Sequence, residues 1–184
     1  MNSMYRNFTM TQAGSEKNSN AGAAGFADTA AAPAARPRRR IQVRRSGVHG
    51  KGVFAITPIP KGARVIEYLG EVITWREALR RHPHDPSDPN HTFYFHIDDK
   101  HVIDAGVRGN AARWINHACT PNCEADEIDG RVFVSAITDI APGEELFYDY
   151  GLVIDDRYTK KLKKQFECRC GTAGCRGTML APKR

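Results

Sequence analysis

From Ile41 onward, apolar and polar residues alternate over short runs divided by turn-forming residues. IQVRR (41–45) alternates and GVFAI (52–56) is a compact apolar run, so each predicts a strand. TPIPKG (57–62) is a turn, because two prolines and a glycine cannot sit in a ladder. RVIEYLGEVI (64–73) predicts one or two strands around Gly70. The spacing changes to helical in WREALRRH (75–82), with Trp75, Ala78 and Leu79 on one side. HPHDPSDPN (82–90) is a loop. TFYFHI (92–97) and HVIDA (101–105) flank Asp98-Asp99-Lys100 and predict a hairpin. NAARWINH (110–117) predicts a short helix or helical turn, RVFVSAI (131–137) and ELFYDY (145–150) predict strands, and RYTKKLKKQF (157–166) is basic and helical in spacing. Many short strands with a few short helices predict a β-rich α+β fold. No internal repeat is visible.

Residues 1–40 have a different texture. NAGAAGFADTAAAPAARPRRR is Ala/Gly/Pro-rich with one aromatic residue and no periodic apolar face, which predicts a disordered tail with a basic RPRRR end. The chain of 184 residues is 41% hydrophobic and 26% charged, ordinary values for a soluble domain with one core. No run approaches the ~18 apolar residues of a membrane helix. The first residues have no long apolar core behind a basic end, so an intracellular protein without a secretory signal is expected. In a reducing compartment the five cysteines are thiols or metal ligands rather than disulfides.

The net charge of +6 hides a segregation. Residues 1–40 carry six basic and two acidic residues, and residues 157–184 carry nine basic residues and only Glu167. Residues 41–156 hold 12 basic and 18 acidic residues, a net of −6. Phosphates would be repelled by Glu124, Asp126, Glu127 and Asp129, so direct nucleic-acid binding is expected only through the basic ends. An acidic middle suits a cationic partner such as a lysine-rich peptide, unless these charges only keep a surface wet.

Five segments carry candidate chemistry: Gly50-Lys51-Gly52, YLGE (68–71), RWINHACTPNC (113–123), EELFYDY (144–150) and CRCGTAGC (168–175). A lone GxG is an ordinary tight turn, and a lone Tyr-Asp-Tyr is strand packing. Three cysteines within eight residues are harder to explain except by metal. Together and in this order, the segments resemble the SET-domain protein lysine methyltransferases with a cysteine-rich post-SET tail. The resemblance implies a SET catalytic domain over 41–152 and a post-SET zinc segment over 153–184. It also implies S-adenosylmethionine as methyl donor and a basic, histone-like protein as substrate. Location would be the nucleus or chromatin if the protein is eukaryotic or host-directed, and the cytoplasm if it acts inside a bacterium.

The chemistry needs a donor pocket, a neutral amine and an in-line approach. Lysine has a pKa of roughly 10.4, so neutralising it at pH 7 costs about 4–5 kcal/mol. An apolar, aromatic-walled slot lowers that pKa by disfavouring the charged form, and positioning does the rest. By the resemblance, Tyr150 is the catalytic tyrosine and Tyr148 limits how many methyls fit. Tyrosine rather than phenylalanine at 148 leaves less room, so mainly monomethylation is expected. Tyr68 lines the slot. Gly50, Lys51 and Gly52 form the donor-binding turn, the glycines letting backbone approach the ligand. Asn116 and His117 bind the donor, Arg113 braces their turn, and Phe166 covers the channel. Ala118 stands where the family usually has serine. Phe93 takes the place of a pocket tyrosine, while Tyr94 points to the other face.

The zinc ligands implied are Cys119, Cys168, Cys170 and Cys175, with Cys123 spare. Cys123 in place of Cys119, or free thiols throughout, remain alternatives. An inactive SET-like module that binds the donor or a basic peptide, or a zinc-dependent nucleic-acid binder, are the competing functions.

Overall fold

The computed structural model describes residues 9–10, 39–82 and 92–183. Most of the Ala/Gly/Pro-rich stretch read as disordered, and the loop from Pro83, lie outside the described residues. The strands are β1 (Thr9–Met10), β2 (Ile41–Arg45), β3 (Lys51–Ala55), β4 (Arg64–Tyr68) and β5 (Glu71–Thr74). Helix α1 (Trp75–Arg81) leads to β6 (Tyr94–His96) and β7 (His101–Asp104). A 3-10 turn at Ala111–Trp114 precedes β8 (Asn116–His117), β9 (Cys123–Ile128), β10 (Arg131–Ala136), β11 (Glu145–Tyr148) and β12 (Leu152–Val153), and α2 (Lys160–Gln165) follows.

The strands form small sheets in the orders β2-β3-β11-β8, β4-β10-β9 and β5-β7-β6, with β1 paired to β12. This is the β-rich α+β architecture the patterning predicts. RVIEYLGEVI resolves into two strands in different sheets. The chain passes between them at Gly70, where a Cβ would lie 2.6 Å from the carbonyl oxygen of Asp104. The hairpin of β6 and β7 forms as expected, and the Asp98 carboxylate accepts from the backbone N–H of Lys100 and His101, each at 2.7 Å.

Two readings need correction. Leu79 is 39% exposed rather than packed beside Ala78. The helix has seven residues and buries one narrow stripe: Ala78 is inside, Trp75 packs against that cluster, and the next residue lies about 100° round the axis. The acidic run CEADEI was not read as a strand, yet it is β9, an edge strand beside β10. Its carboxylates mask the strand, and only Cys123 at its start is fully buried. The signal was the following Asp129-Gly130, both with positive φ, a two-residue hairpin turn.

The main core gathers Val53, Ile115, Val132, Val134 and Leu146 with Tyr68 and Tyr148. A second cluster joins Leu152 and Ile154 to Leu162, Phe166 and Leu180 of the C-terminal segment. Between them β8 runs parallel to β11, setting Asn116 opposite Phe147 and His117 opposite Tyr148. The Asn122 side chain holds that crossing, donating to Glu145 O and accepting from Phe147 N–H, each at 2.8 Å. Among the described residues no helix is long and apolar enough to cross a membrane.

Candidate active site

The β8–β11 crossing opens on a cleft of about 480 Å³, within the range of small-molecule sites. Gly50, Lys51, Tyr68, Arg113, Asn116, His117, Tyr148 and Tyr150 all line it. Residues separated by up to 100 positions in the chain therefore share one wall.

The amide of Asn116 is oriented from within. Its Nδ2 faces Lys51 O at 2.9 Å, Glu145 Oε1 at 2.9 Å and His49 O at 3.3 Å. Its oxygen makes no hydrogen bond among the described residues and remains an acceptor. Lys51 Nζ sits 4.6 Å from the centre of the Trp114 ring. Arg113 donates to Ala105 O at 2.9 Å and lies 4.9 Å from the same ring. Gly50 adopts φ +45°, a conformation that favours glycine. Gly52 differs from expectation. A Cβ there would run into the Glu145 carboxylate, so the close approach is to a protein side chain rather than a ligand.

The tyrosines of the cleft are linked by Phe95, which packs behind them. Ring centres lie 5.2 Å apart for Tyr68 and Phe95, 6.3 Å for Phe95 and Tyr148, and 5.0 Å for Tyr148 and Tyr150. Tyr68 donates its hydroxyl proton to Phe93 O at 3.1 Å, and Tyr150 donates to Ile115 O at 2.9 Å. Burial raises the pKa of Tyr68, Tyr148 and Tyr150. All three are neutral phenols at neutral pH. Because the Tyr150 proton is engaged by a carbonyl, its oxygen faces the cleft as an acceptor. Only the Tyr148 hydroxyl has no protein partner among the described residues, and that residue is 4% exposed. Phe93 packs edge-on against Trp114 at 5.0 Å. Tyr94 turns its hydroxyl to Ala78 O at 3.1 Å in the satellite cluster, yet it also contributes to the cleft lining, which Phe93 does not. The phenylalanine among the tyrosines is Phe95, which the sequence reading passed over. Strand alternation puts 93 and 95 on the same side, and only the hairpin register separates their neighbours.

His117 also lines the cleft, but both ring nitrogens meet protein. Nδ1 accepts from Tyr150 N–H at 3.1 Å, which leaves the ring proton on Nε2, 3.4 Å from Cys119 Sγ. Burial brings its pKa down to about 4, with Arg176 lowering it further and Asp149 opposing. His117 is therefore neutral, and it supports the site through Tyr150 and Cys119. Phe166 is a second correction. It is 5% exposed inside the second cluster, while its neighbours Gln165 and Glu167 line the cleft. As the C-cap of α2 it follows the buried stripe that starts at Leu162. Of the acidic residues singled out in the middle segment, Glu124, Asp126 and Glu127 lie on β9 and Asp129 in the turn after it, and none of the four lines the cleft. Among the described residues the charged lining comprises Lys51, Arg113, Lys164 and Arg169 against Glu167.

The sulfurs of Cys119, Cys168, Cys170 and Cys175 lie within 4.8 Å of one another. Cys119 Sγ is 3.6 Å from Cys168 Sγ and 4.0 Å from Cys175 Sγ. These spacings bracket the ~3.8 Å edge of a tetrahedron with Zn–S bonds of about 2.3 Å. Backbone N–H groups of Cys170, Arg176 and Gly177 point at the sulfurs, the donors thiolates require. Burial pushes Cys170 up, but hydrogen bonds from the Cys119 backbone and Thr172 bring it down to about 6. The donor set fits zinc, and Cys123, buried in β9, is not part of it. Arg176 adds a second fastener, donating to both oxygens of Asp149 at 2.6 and 2.8 Å.

The model of the SET domain matches residues 50–151, more than half of the chain. This chain belongs to the SET-domain family. A relative from Chaetomium globosum, "Histone-lysine N-methyltransferase, H3 lysine-4 specific", is 39% identical over 145 residues, covering 76% of this chain and 13% of the relative. Histone-lysine N-methyltransferase trithorax of Drosophila melanogaster is 38% identical over 140 residues, covering 74% and 4%. Histone-lysine N-methyltransferase set-2 of Caenorhabditis elegans is 37% identical over 145 residues, covering 76% and 9%. The chain spans less than a seventh of the length of these relatives. The matched span holds Cys119 and most of the cleft, while Cys168, Cys170 and Cys175 follow it in a post-SET segment that also contributes to the cleft lining.

Proposed function

We propose that this chain transfers a methyl group from S-adenosylmethionine to the side-chain amine of a lysine in a histone or another basic protein, mainly stopping at one methyl. The observation that carries the reading is the shared cleft of Asn116 and Tyr150, walled by Tyr68 and Tyr148 with Phe95 packed behind them. The donor, when bound, supplies an electrophilic methyl on a sulfonium. The chain's own residues do the rest. Asn116 Oδ1 offers an acceptor to an ammonium group, and Lys51 and Arg113 offer cations to a carboxylate. The aromatic wall excludes water from an incoming lysine. Four cationic side chains against one carboxylate in the lining disfavour the charged amine further, so it reacts as the neutral nucleophile. The Tyr150 oxygen, its proton held by Ile115 O, accepts from the reacting groups and orients them. Neutral Tyr150 is not the base.

The unpartnered hydroxyl of Tyr148 supports monomethylation, because it is free to bond the amine or a water and occupies space a second methyl would need. Cys119, Cys168, Cys170 and Cys175 would hold a structural zinc that clamps the post-SET segment beside the cleft. Action on histones would place the protein at chromatin. The names of the relatives support that substrate class. A labelled-methyl transfer screen over histones and basic proteins tests the proposal, with Tyr150→Phe as control. Equal incorporation by both proteins rejects the role given to Tyr150, and none by the wild type rejects the transfer itself and favours an inactive binding module.

A further inference from the structure

We infer that Glu145 is a positioning residue for donor binding, holding the Asn116 amide in register, and that residue 52 is glycine to leave space for the Glu145 carboxylate. The inference rests on the reading of Asn116 as a donor contact. Each oxygen of Glu145 has one partner: Oε1 accepts from Asn116 Nδ2 at 2.9 Å and Oε2 from Ser46 Oγ at 3.0 Å. Ser46 Oγ also accepts from Val48 N–H at 2.9 Å, and Ser46 N–H donates to Gly50 O at 3.0 Å. One carboxylate on β11 thus ties the 46–50 turn, whose residues from Val48 on line the cleft, to the strand that carries Asn116.

The Asn116 amide nitrogen has two hydrogens and three oxygens around it. The carboxylate is the only charged one, and charge-assisted hydrogen bonds are the strong ones. Removing it leaves the two carbonyls to hold the amide and lets the plane rotate, so Oδ1 loses its fixed aim at the cleft.

Gly52 gives an independent handle. Its φ is not in the left-handed region, so the backbone accepts alanine. What a Cβ meets is the Glu145 carboxylate, with the side-chain Cδ at 2.7 Å and Ser46 Cβ at 3.1 Å. The obstacle is the end of a flexible side chain, which can move. Gly52→Ala therefore displaces the carboxylate without breaking the strand, and mimics its removal.

The experiment is calorimetric titration of S-adenosylmethionine into the full chain for wild type, Glu145→Ala, Glu145→Gln, Gly52→Ala and the double variant Gly52→Ala/Glu145→Ala. Melting temperature and zinc content are read in parallel. Glu145→Ala and Gly52→Ala should each weaken donor binding about tenfold. The double variant should be no weaker than either single one, because both remove the same contact. Glu145→Gln, which keeps an oxygen for Asn116 but loses the charge, should weaken binding less than Glu145→Ala. The KM for the donor should rise while kcat at saturating donor and the KM for peptide stay put. Unchanged donor affinity in a folded Glu145→Ala, or a double variant weaker by the product of the two effects, overturns the inference. If Glu145→Ala does not fold, Gly52→Ala alone decides: unchanged affinity there overturns it. A wild-type chain that binds no donor rejects the donor reading itself.

Discussion

Replacing Tyr148 with phenylalanine removes one oxygen from the wall of the cleft. Tyr148 is 4% exposed, between Phe95 at 6.3 Å and Tyr150 at 5.0 Å, so the ring stays packed and the backbone has no reason to move. Its hydroxyl has no protein partner among the described residues, so no buried group is orphaned by its loss. Tyr148 lines the cleft, so its hydroxyl is not sealed from water, and Tyr148→Phe should be about as stable as wild type. The functional effect should be larger than the structural one. A hydroxyl bonded to the substrate amine or to a water beside it is worth about 0.5–1.5 kcal/mol. Its removal also vacates room for about one methyl group. The partition between release after one methyl and a further transfer should shift by roughly two- to tenfold. Mass spectrometry of product peptides, started from unmodified and from monomethylated lysine, reads this directly. The reasoning is refuted if wild type makes abundant trimethyl-lysine, or if the variant leaves the product distribution unchanged.

Tyr150→Phe should lower kcat about a hundredfold or more with donor affinity kept, and lower stability by about 1 kcal/mol as Ile115 O loses its donor; single-turnover rates and urea unfolding measure the two. Cys119→Ala should abolish zinc retention whereas Cys123→Ala keeps it, as read by elemental analysis, and loss of metal should weaken donor binding because Cys168, Arg169 and Met179 line the cleft. His117 has its folded pKa lowered to about 4 from an unfolded value near 6.5, so its contribution is complete above pH 6.5 and lost as pH falls toward 4. Unfolding by urea should show about 2 kcal/mol less stability at pH 5 than at pH 7 from this group, and His117→Gln should reduce that slope; an identical slope in the variant rejects the assignment.

Asn116, His117, Tyr148 and Tyr150 were legible only together, through the order of their segments and its resemblance to the SET-domain family, since each segment alone reads as a turn or strand packing. Glu145 was not. A glutamate in GEEL reads as a solvated charge, and its partners Ser46 and Asn116 lie 99 and 29 residues away in the chain. Phe95 was hidden by symmetry, since residues 93 and 95 share a face and only pairing with β7 decides which one reaches Tyr148. Phe166 was misread because its position follows from how α2 ends, with its backbone N–H turned back to Leu162 O. The strand β9 was concealed by its own surface: acids on an exposed edge keep other strands from adding there, and that need overrides the residue preferences by which strands are recognised.

The same register argument explains why two short segments carry so much of the function. Strands β8 and β11 pair over two residues each, Asn116 opposite Phe147 and His117 opposite Tyr148. Side chains alternate faces along a strand, so a slip of one residue would turn Tyr148 away from the cleft and bring Phe147 toward it. So short a ladder cannot set its own register. Three side-chain contacts set it instead: Asn122 bridging to Glu145 and Phe147, Glu145 holding Asn116, and His117 accepting from Tyr150 N–H. Each joins one segment to the other, so the residues that align the strands include those that would bind the donor. A substitution at this crossing should therefore rarely affect binding alone. Glu145, whose bonds reach Asn116 from behind the cleft, is where alignment and stability are most separable.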